Sequence, residues 1–128
     1  MLVVDDEPDA RELLKSLLAD AGAEVVTAGS AEEGLAVVKS YRPDVIVSDI
    51  GMPERDGYQF IRDVRGLDVA AGGATPAIAA TAFARSEDRT RAMLAGYQVH
   101  VSKPIEPEEL VATVKSLTMS SGARRALR

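Results

Sequence analysis

The sequence predicts a doubly wound α/β domain built on a parallel sheet of five strands. Five short apolar runs alternate with five helical segments along the chain, and strands separated by helices are joined as parallel neighbours by right-handed crossovers. The central run, residues 44–50, is rich in Val and Ile and too short for an ordinary helix, which is typical of a buried strand. A chain of 128 residues with 46% apolar positions has room for one core and not for two.

Composition and charge exclude several classes of protein. The chain has no cysteine, so neither a disulfide framework nor a thiolate metal site is available. Fifteen basic and twenty acidic residues give a net charge of -5, the wrong sign for a nucleic-acid binder that neutralises phosphates. No apolar run approaches the roughly 20 residues of a membrane span, and no signal peptide opens the chain, so we expect a cytoplasmic protein without membrane insertion.

The first half of the chain contains two strand and helix pairs. The strand at residues 2–4 leads into a helix that begins at Pro8 and stops at Gly22. Apolar residues repeat in this helix at steps of three and four, and we expect all of them to face the sheet: Ala10, Leu13, Leu14, Leu17, Leu18 and Ala21. A second strand at residues 24–28 precedes a helix with a capping box at Ser30 and Glu33.

The second half repeats the alternation three times. After the central strand ends at Asp49, Asp56 can cap a third helix. A fourth strand at residues 76–81 precedes a helix over 86–95 with a weak apolar stripe, mainly Ala92 together with Met93 or Leu94. A fifth strand at 98–101 precedes the last helix, 106–117. We therefore expect a folded domain over residues 1–118 and a poorly ordered tail over 119–128.

Four of the five predicted strands end in residues that can do chemistry. Asp5 and Asp6 follow the first strand, Asp49 ends the third, Thr81 the fourth and Lys103 the fifth. Because the carboxyl ends of parallel strands meet at one edge of the sheet, we expect these side chains to form one site there.

These residues carry a resemblance to a known family. The segments 3–7, 49–57, Thr81-Ala82 and Lys103-Pro104 resemble the receiver domain of two-component response regulators over essentially the whole chain. The resemblance implies a flavodoxin-like fold with strand order 2-1-3-4-5, in which Asp49 is the phosphoacceptor. The stretch 96–104 is most similar to receivers fused to hybrid sensor histidine kinases, which favours a receiver excised from such a protein over a stand-alone one.

The resemblance also implies a metal site of Mg²⁺ or Mn²⁺. Asp6 and Asp49 would coordinate the ion directly, Asp5 through water and Gly51 through its backbone carbonyl. The physics agrees, because three clustered carboxylates repel one another unless a cation joins them, and oxygen ligands suit Mg²⁺. An ionised Asp49 needs no general base to attack phosphorus while Lys103 neutralises the phosphoryl oxygens.

Further residues are implied in switching and in phosphoryl lifetime. Thr81 would donate its hydroxyl to the phosphoryl group and draw in the end of the fourth strand. His100 stands where the family often has Tyr or Phe, so it is either a pH-sensitive part of the switch or a half-exposed strand residue. Gly51, Ala82 and Phe83 would tune the lifetime, and the bulky Phe83 ring predicts a moderately long-lived modification. Lys103-Pro104 is expected to be cis, as in the family.

Two other functions compete with a phosphorylation-controlled switch. A pseudo-receiver would bind partners without accepting phosphate, and an aspartate-nucleophile phosphatase would use the same chemistry, although it typically has a second acid where this chain has Gly51. The resemblance implies a phosphoacceptor rather than an enzyme in the usual sense. It also implies a histidine kinase or histidine phosphotransfer domain as partner, docking beside the first helix. Members of the family dimerise through the fourth and fifth helices, and the sequence leaves open both a monomer and such a homodimer.

Overall fold

A computed structural model describes residues 1–82 and 85–121, with side chains as far as Thr118. Five parallel strands form one sheet in the order β2-β1-β3-β4-β5, as expected. The strand bounds are β1 Leu2–Val4, β2 Val26–Ala28, β3 Ile46–Asp49, β4 Ala77–Thr81 and β5 Val99–Ser102. The strand β1 matches its predicted run, β5 is shifted by one residue, and β2, β3 and β4 are shorter than their runs by one to three residues, mainly because the first residues of those runs lead into the sheet without pairing in it.

Five helices connect and follow the strands. Their bounds are α1 Pro8–Asp20, α2 Ala31–Tyr41, α3 Gly57–Arg65, α4 Ser86–Ala95 and α5 Pro107–Ser121. A 3₁₀ turn at Val69–Ala71 lies in the predicted loop before β4. The last helix runs four residues beyond its predicted end at Leu117, and residues 122–128 of the predicted tail lie outside the described part of the chain. No helix in the described ranges is long and apolar enough to cross a membrane.

The sheet separates two apolar cores. Helices α2, α3 and α4 cover one face, where alternate strand residues such as Ile46 and Ala79 are buried. Helices α1 and α5 cover the other face over Val47 and Ile78. Burial on both faces explains why the central strands are continuous apolar runs, and it makes the sheet edge at the strand ends the open place for a ligand.

The predicted caps are present at the starts of α2 and α3. The Asp56 carboxylate accepts a hydrogen bond from the Gln59 backbone N–H at 3.0 Å, and the Gln59 side chain accepts one from the Asp56 N–H at 2.9 Å. At α2, the Ser30 hydroxyl oxygen accepts from the Glu33 N–H at 3.1 Å, while the Glu33 side chain reaches Gly29 rather than closing the box on Ser30. These caps set where α3 begins, close to the end of β3.

Two predicted helix faces are wrong in part. In α1 the buried leucines are Leu14 and Leu18, while Leu13 is 68% exposed, because a narrow stripe of i and i+4 positions suffices to reach the sheet. In α4 the buried residues are Ala92 and Ala95, and both of the larger candidates, Met93 and Leu94, are exposed at 54% and 84%. The helix lies close to the sheet on small side chains, which leaves its larger apolar ones outside.

Candidate functional site

The expected strand-end residues line one cavity of about 400 Å³ at the carboxyl edge of the sheet. The residues around it come from the ends of β1, β3, β4 and β5 and from the first turn of α1: Asp6, Glu7, Ala10, Asp49, Gly51, Thr81, Ala82 and Lys103. Asp5 does not line this cavity, but its carboxylate lies 3.5 Å from the Nζ of Lys103, which does. The doubly wound topology therefore gathers the acids, the threonine and the lysine that the sequence singles out.

The loop after β1 holds an almost fully buried acid. Asp5 is 1% exposed, and its Oδ1 accepts a hydrogen bond from the Glu7 backbone N–H at 2.9 Å. Arg11, one turn into α1, donates from Nη1 to the Asp5 carbonyl oxygen at 2.8 Å. Burial raises the pKa of Asp5 above its ordinary value, although the Glu7 N–H and the Lys103 charge oppose the rise. The loop thus presents a carboxylate that a cation would stabilise.

Lys103 bridges two of the carboxylates. Its Nζ lies 3.1 Å from Asp49 Oδ1 and 3.5 Å from Asp5 Oδ2. Burial alone would lower the pKa of Lys103, but the hydrogen bond and charge of Asp49, with the charge of Asp5, raise it on balance, so the ammonium stays charged. The backbone N–H of Lys103 donates to the Thr81 carbonyl at 2.8 Å, and the Lys103-Pro104 bond is cis as expected.

The acidic cluster fits a hard divalent cation. Asp5, Asp6 and Asp49 each offer a carboxylate oxygen, and these oxygens lie within 4.8 Å of one another. Oxygen donors with space left for water are the set that Mg²⁺ prefers. Gly51 borders the same cavity, and an added Cβ there would meet nothing within 4 Å, so the site is open on this side.

Thr81 and His100 lie on one face of the sheet. Thr81 is buried at the end of β4, and His100 pairs in register with Ala79, whose side chain lies in the core under α3 and α4. His100 is half-buried, and among the described residues neither of its ring nitrogens has a hydrogen-bond partner. Ala82, next to Thr81, is exposed, and Phe83 lies outside the described residues.

Sequence reasoning missed two residues that reach the site from a distance. Arg11 was not singled out in the sequence, because its donation to the Asp5 carbonyl depends on how α1 lies against the loop after β1. Tyr97 entered only as part of the stretch 96–104, yet its hydroxyl donates to the Gly57 carbonyl at 2.8 Å across 40 positions of sequence. No local pattern predicts that second contact, because it joins two segments that are neighbours only in the folded sheet.

Comparisons with known proteins agree with this geometry. The profile of the family described as "Response regulator receiver domain" matches residues 1–115. A protein of Leptolyngbya boryana, described as an uncharacterized 14.6 kDa protein in the sodA1 3' region, is 43% identical over 94% of this chain and 90% of its own length. Response regulator Rre1 of Synechocystis sp. is 36% identical over 91% of this chain, which spans only 50% of that relative.

Solved structures give the same picture of the fold. The Vibrio cholerae chemotaxis protein CheY4 superposes with a TM-score of 0.84 at 34% identity, covering 91% of this chain and 95% of its own. A putative response regulator from Chloroflexus aurantiacus gives the same TM-score and identity over 91% of this chain and 93% of its own.

Proposed function

The chain belongs to the response regulator receiver domain family, and we propose that it is a phosphorylation-controlled switch that accepts a phosphoryl group from a phosphohistidine on Asp49. One observation carries the proposal. The Asp49 carboxylate ends a buried central strand with the Lys103 ammonium 3.1 Å away and two further acids within ligand reach. An isolated buried carboxylate is costly in free energy unless it is paired with a cation or protonated. Three carboxylates grouped around one lysine suit an incoming phosphoryl group and a cation.

The chain's own residues can perform the transfer without a general base. An ionised oxygen of Asp49 attacks phosphorus in line, a new O–P bond forms, and the P–N bond to the donor imidazole breaks as that ring leaves. Lys103 can then turn its ammonium from the carboxylate towards a phosphoryl oxygen. Thr81, at the cavity wall, would donate its hydroxyl to a second one.

A bound Mg²⁺ would supply charge neutralisation at the phosphoryl oxygens. Asp6 and Asp49 would hold it directly, Asp5 through water and Gly51 through its carbonyl. With Asp5, Asp6 and Asp49 ionised, the three negative charges exceed the single positive charge of Lys103. That excess is what makes a divalent cation a fitting occupant.

The proposal is tested by intact mass after incubation with acetyl phosphate, with and without Mg²⁺. The wild-type protein should gain one phosphoryl group only when Mg²⁺ is present, and Asp49→Asn should gain none. Asp44→Asn is the matched control, because Asp44 lies at the opposite end of the same chain segment, beside Met1. It should label like the wild type.

The same experiment separates the competing functions. A wild-type protein that stays unlabelled by acetyl phosphate and by a phosphorylated histidine phosphotransfer domain would be a pseudo-receiver. An Mg²⁺-dependent adduct that lasts is the result expected of a switch. Rapid turnover of small phosphate esters through Asp49 would instead indicate a phosphatase, against which the glycine at position 51 already counts.

The phosphodonor would dock on the groove between α1 and α5. This groove of about 740 Å³ has an apolar floor that includes Leu13, Leu17 and Val111, and Leu13 is its most exposed leucine. Helix α1 begins two residues after Asp6, so a partner helix lying along it would reach the phosphoacceptor site. A histidine kinase or a histidine phosphotransfer domain is the partner class that fits, whether the receiver works alone or within a hybrid kinase.

The lifetime of the phosphoryl group would depend on Gly51, Ala82 and Phe83. Gly51 and Ala82 border the cavity, and the space beside Gly51 is open. A hydrolytic water therefore has access from the Gly51 side. By resemblance to the family, position 83 tunes the lifetime, and a bulky apolar residue there would hinder that water. Replacing Phe83 with alanine should speed dephosphorylation, and an unchanged rate would contradict this role.

A further inference from the structure

We propose that Tyr97 is a positioning residue for the metal side of the phosphoacceptor site, acting through the first turn of α3 on the turn that contains Gly51. This inference rests on the proposed function, because it concerns the Mg²⁺ ligand that Gly51 would supply. Tyr97 does not line the cavity described above. Its effect would be indirect.

The Tyr97 hydroxyl is buried at a junction of three segments. The residue is 2% exposed and packs in the core that lies under α2, α3 and α4. Its hydroxyl donates to the Gly57 carbonyl at 2.8 Å, and the Ser48 side chain is a second hydrogen-bonding neighbour. Burial raises the pKa of the phenol, so the hydroxyl stays protonated and remains a donor at every working pH.

Gly57 in turn holds the end of β3. Its N–H donates to the Ile50 carbonyl at 2.8 Å, and the same carbonyl accepts from the Met52 N–H at 3.0 Å. Gly51 is therefore the central residue of a tight three-residue turn whose acceptor is also tied to α3. An added Cβ at Gly57 would lie 2.5 Å from the Asp49 carbonyl oxygen, so the helix approaches the strand end as closely as glycine allows.

These bonds form one path from β5 to the proposed ligand. The Tyr97 hydroxyl donates to the Gly57 carbonyl, and the Gly57 N–H donates to the Ile50 carbonyl. The Ile50 carbonyl also closes the turn around Gly51. Removing the hydroxyl takes a hydrogen bond from the buried Gly57 carbonyl and leaves the Ser48 side chain facing the edge of an apolar ring. The lost hydrogen bond favours a shift of the first turn of α3. A backbone carbonyl that ligates a metal tolerates little displacement, because its direction is set by the turn.

The test is Tyr97→Phe, which keeps the ring and removes one oxygen. Tyr41→Phe is the matched control, since Tyr41 is exposed at the far end of the sheet. The Mg²⁺ dissociation constant is measured by titration calorimetry on both variants and on the wild type, and urea unfolding in metal-free buffer verifies that each is folded. We expect Tyr97→Phe to weaken Mg²⁺ binding roughly fivefold, the equivalent of about 1 kcal/mol, with Tyr41→Phe unchanged.

A purely structural role for Tyr97 would lower stability and leave the dissociation constant alone. A change below twofold in Tyr97→Phe therefore overturns the inference, whatever happens to stability. If that variant does not fold in metal-free buffer, the titration is repeated on all three proteins with an osmolyte that stabilises the folded state, and the same threshold applies. Wild-type protein that does not bind Mg²⁺ would overturn the inference together with the metal part of the proposed function. Wild-type protein that binds Mg²⁺ but never labels with acetyl phosphate would contradict the proposed function alone.

Discussion

At the scale of single residues, the charged groups of the site lower the stability of the fold. Asp5 is buried beside Asp49 and shares one lysine with it, so two carboxylates compete for the same ammonium. Replacing a buried ion pair by well-packed apolar side chains is often neutral or stabilising, so such groups are weak evidence for stability. Their presence at the end of a well-packed strand is what a site for a divalent cation and a phosphoryl group requires.

The first prediction concerns the pH dependence that Asp5 imposes. Because burial raises the pKa of Asp5 in the folded protein, its contribution to stability is fully present below the pKa of the unfolded chain. That contribution is lost as the pH rises through the folded pKa. Asp5→Asn should therefore increase the free energy of unfolding at pH 7 by on the order of 1 kcal/mol in metal-free buffer, and by less near pH 4.

Urea unfolding at the two pH values, with EDTA present, checks this prediction. Asp6→Asn is the control, because Asp6 is only half-buried and its replacement removes the same charge from the same loop. Lys103 keeps its contact with Asp49 in both variants. An equal gain at both pH values, or a loss of stability at pH 7, would contradict the pKa argument.

At the scale of elements, a helix start can serve the site as well as the fold. The capping box of Asp56 and Gln59 sets the beginning of α3, and α3 also buries Phe60 and Ile61. The cap and the Gly57 contacts act on the same turn of helix. A defect in the cap should therefore reach the loop that carries Gly51.

The second prediction compares two helix caps. Asp56→Ala and Ser30→Ala should each lower the free energy of unfolding by about 1 kcal/mol, the usual cost of a lost N-cap. Only Asp56→Ala should also weaken Mg²⁺ binding, because α2 begins away from the cavity. Asp56→Ser, which restores a capping oxygen without the charge, should recover most of the affinity. Equal affinities for the alanine and serine variants would show that the Asp56 charge acts and the cap does not.

The third prediction concerns the outer face of α1. Leu13→Glu should slow labelling from a phosphorylated histidine phosphotransfer domain about tenfold, the equivalent of about 1.4 kcal/mol in the encounter. Labelling by acetyl phosphate should change less than twofold, because Leu13 lies outside the cavity at Asp49.

Leu94→Glu is the matched control, since Leu94 is an exposed leucine on α4, away from the α1 groove. Both variants leave the buried cores untouched, so folding should be preserved. A Leu13→Glu protein that labels normally from the protein donor would move the docking surface elsewhere. Equal slowing by both leucine variants would indicate a general effect of added negative charge.

At the scale of the whole molecule, sequence reasoning predicted the features that depend on the alternation of strands and helices. It missed the features that depend on contacts between packed segments. The five strands and the gathering of the residues at four strand ends follow from the repeating pattern, because topology alone brings carboxyl ends together. The strand order follows from the family resemblance. The buried faces of α1 and α4 could not be predicted from the sequence pattern, since Leu13 and Leu94 look like core residues until the packing of the helices is known. Tyr97 was missed because its partner Gly57 lies 40 positions away.

The fourth prediction links the site to the stability of the entire domain. A ligand that binds only the folded state stabilises it by mass action, by about 2.7 kcal/mol when its concentration is a hundred times the dissociation constant. Mg²⁺ should therefore raise the unfolding temperature of the wild type in a saturable way. The rise should shrink as the pH falls towards 4, because burial raises the pKa of Asp5 and protonation of the clustered carboxylates removes metal ligands.

Thermal unfolding across a Mg²⁺ titration measures this, with NaCl at matched ionic strength as the control. Circular dichroism is the suitable signal, because the chain has no tryptophan and only three tyrosines. Asp49→Asn should lose most of the Mg²⁺ effect while keeping the fold, since it removes one of the three clustered carboxylates. An equal rise in that variant would mean that Mg²⁺ acts on the general negative charge of the chain, and the three acids at the strand ends would then not form its binding site.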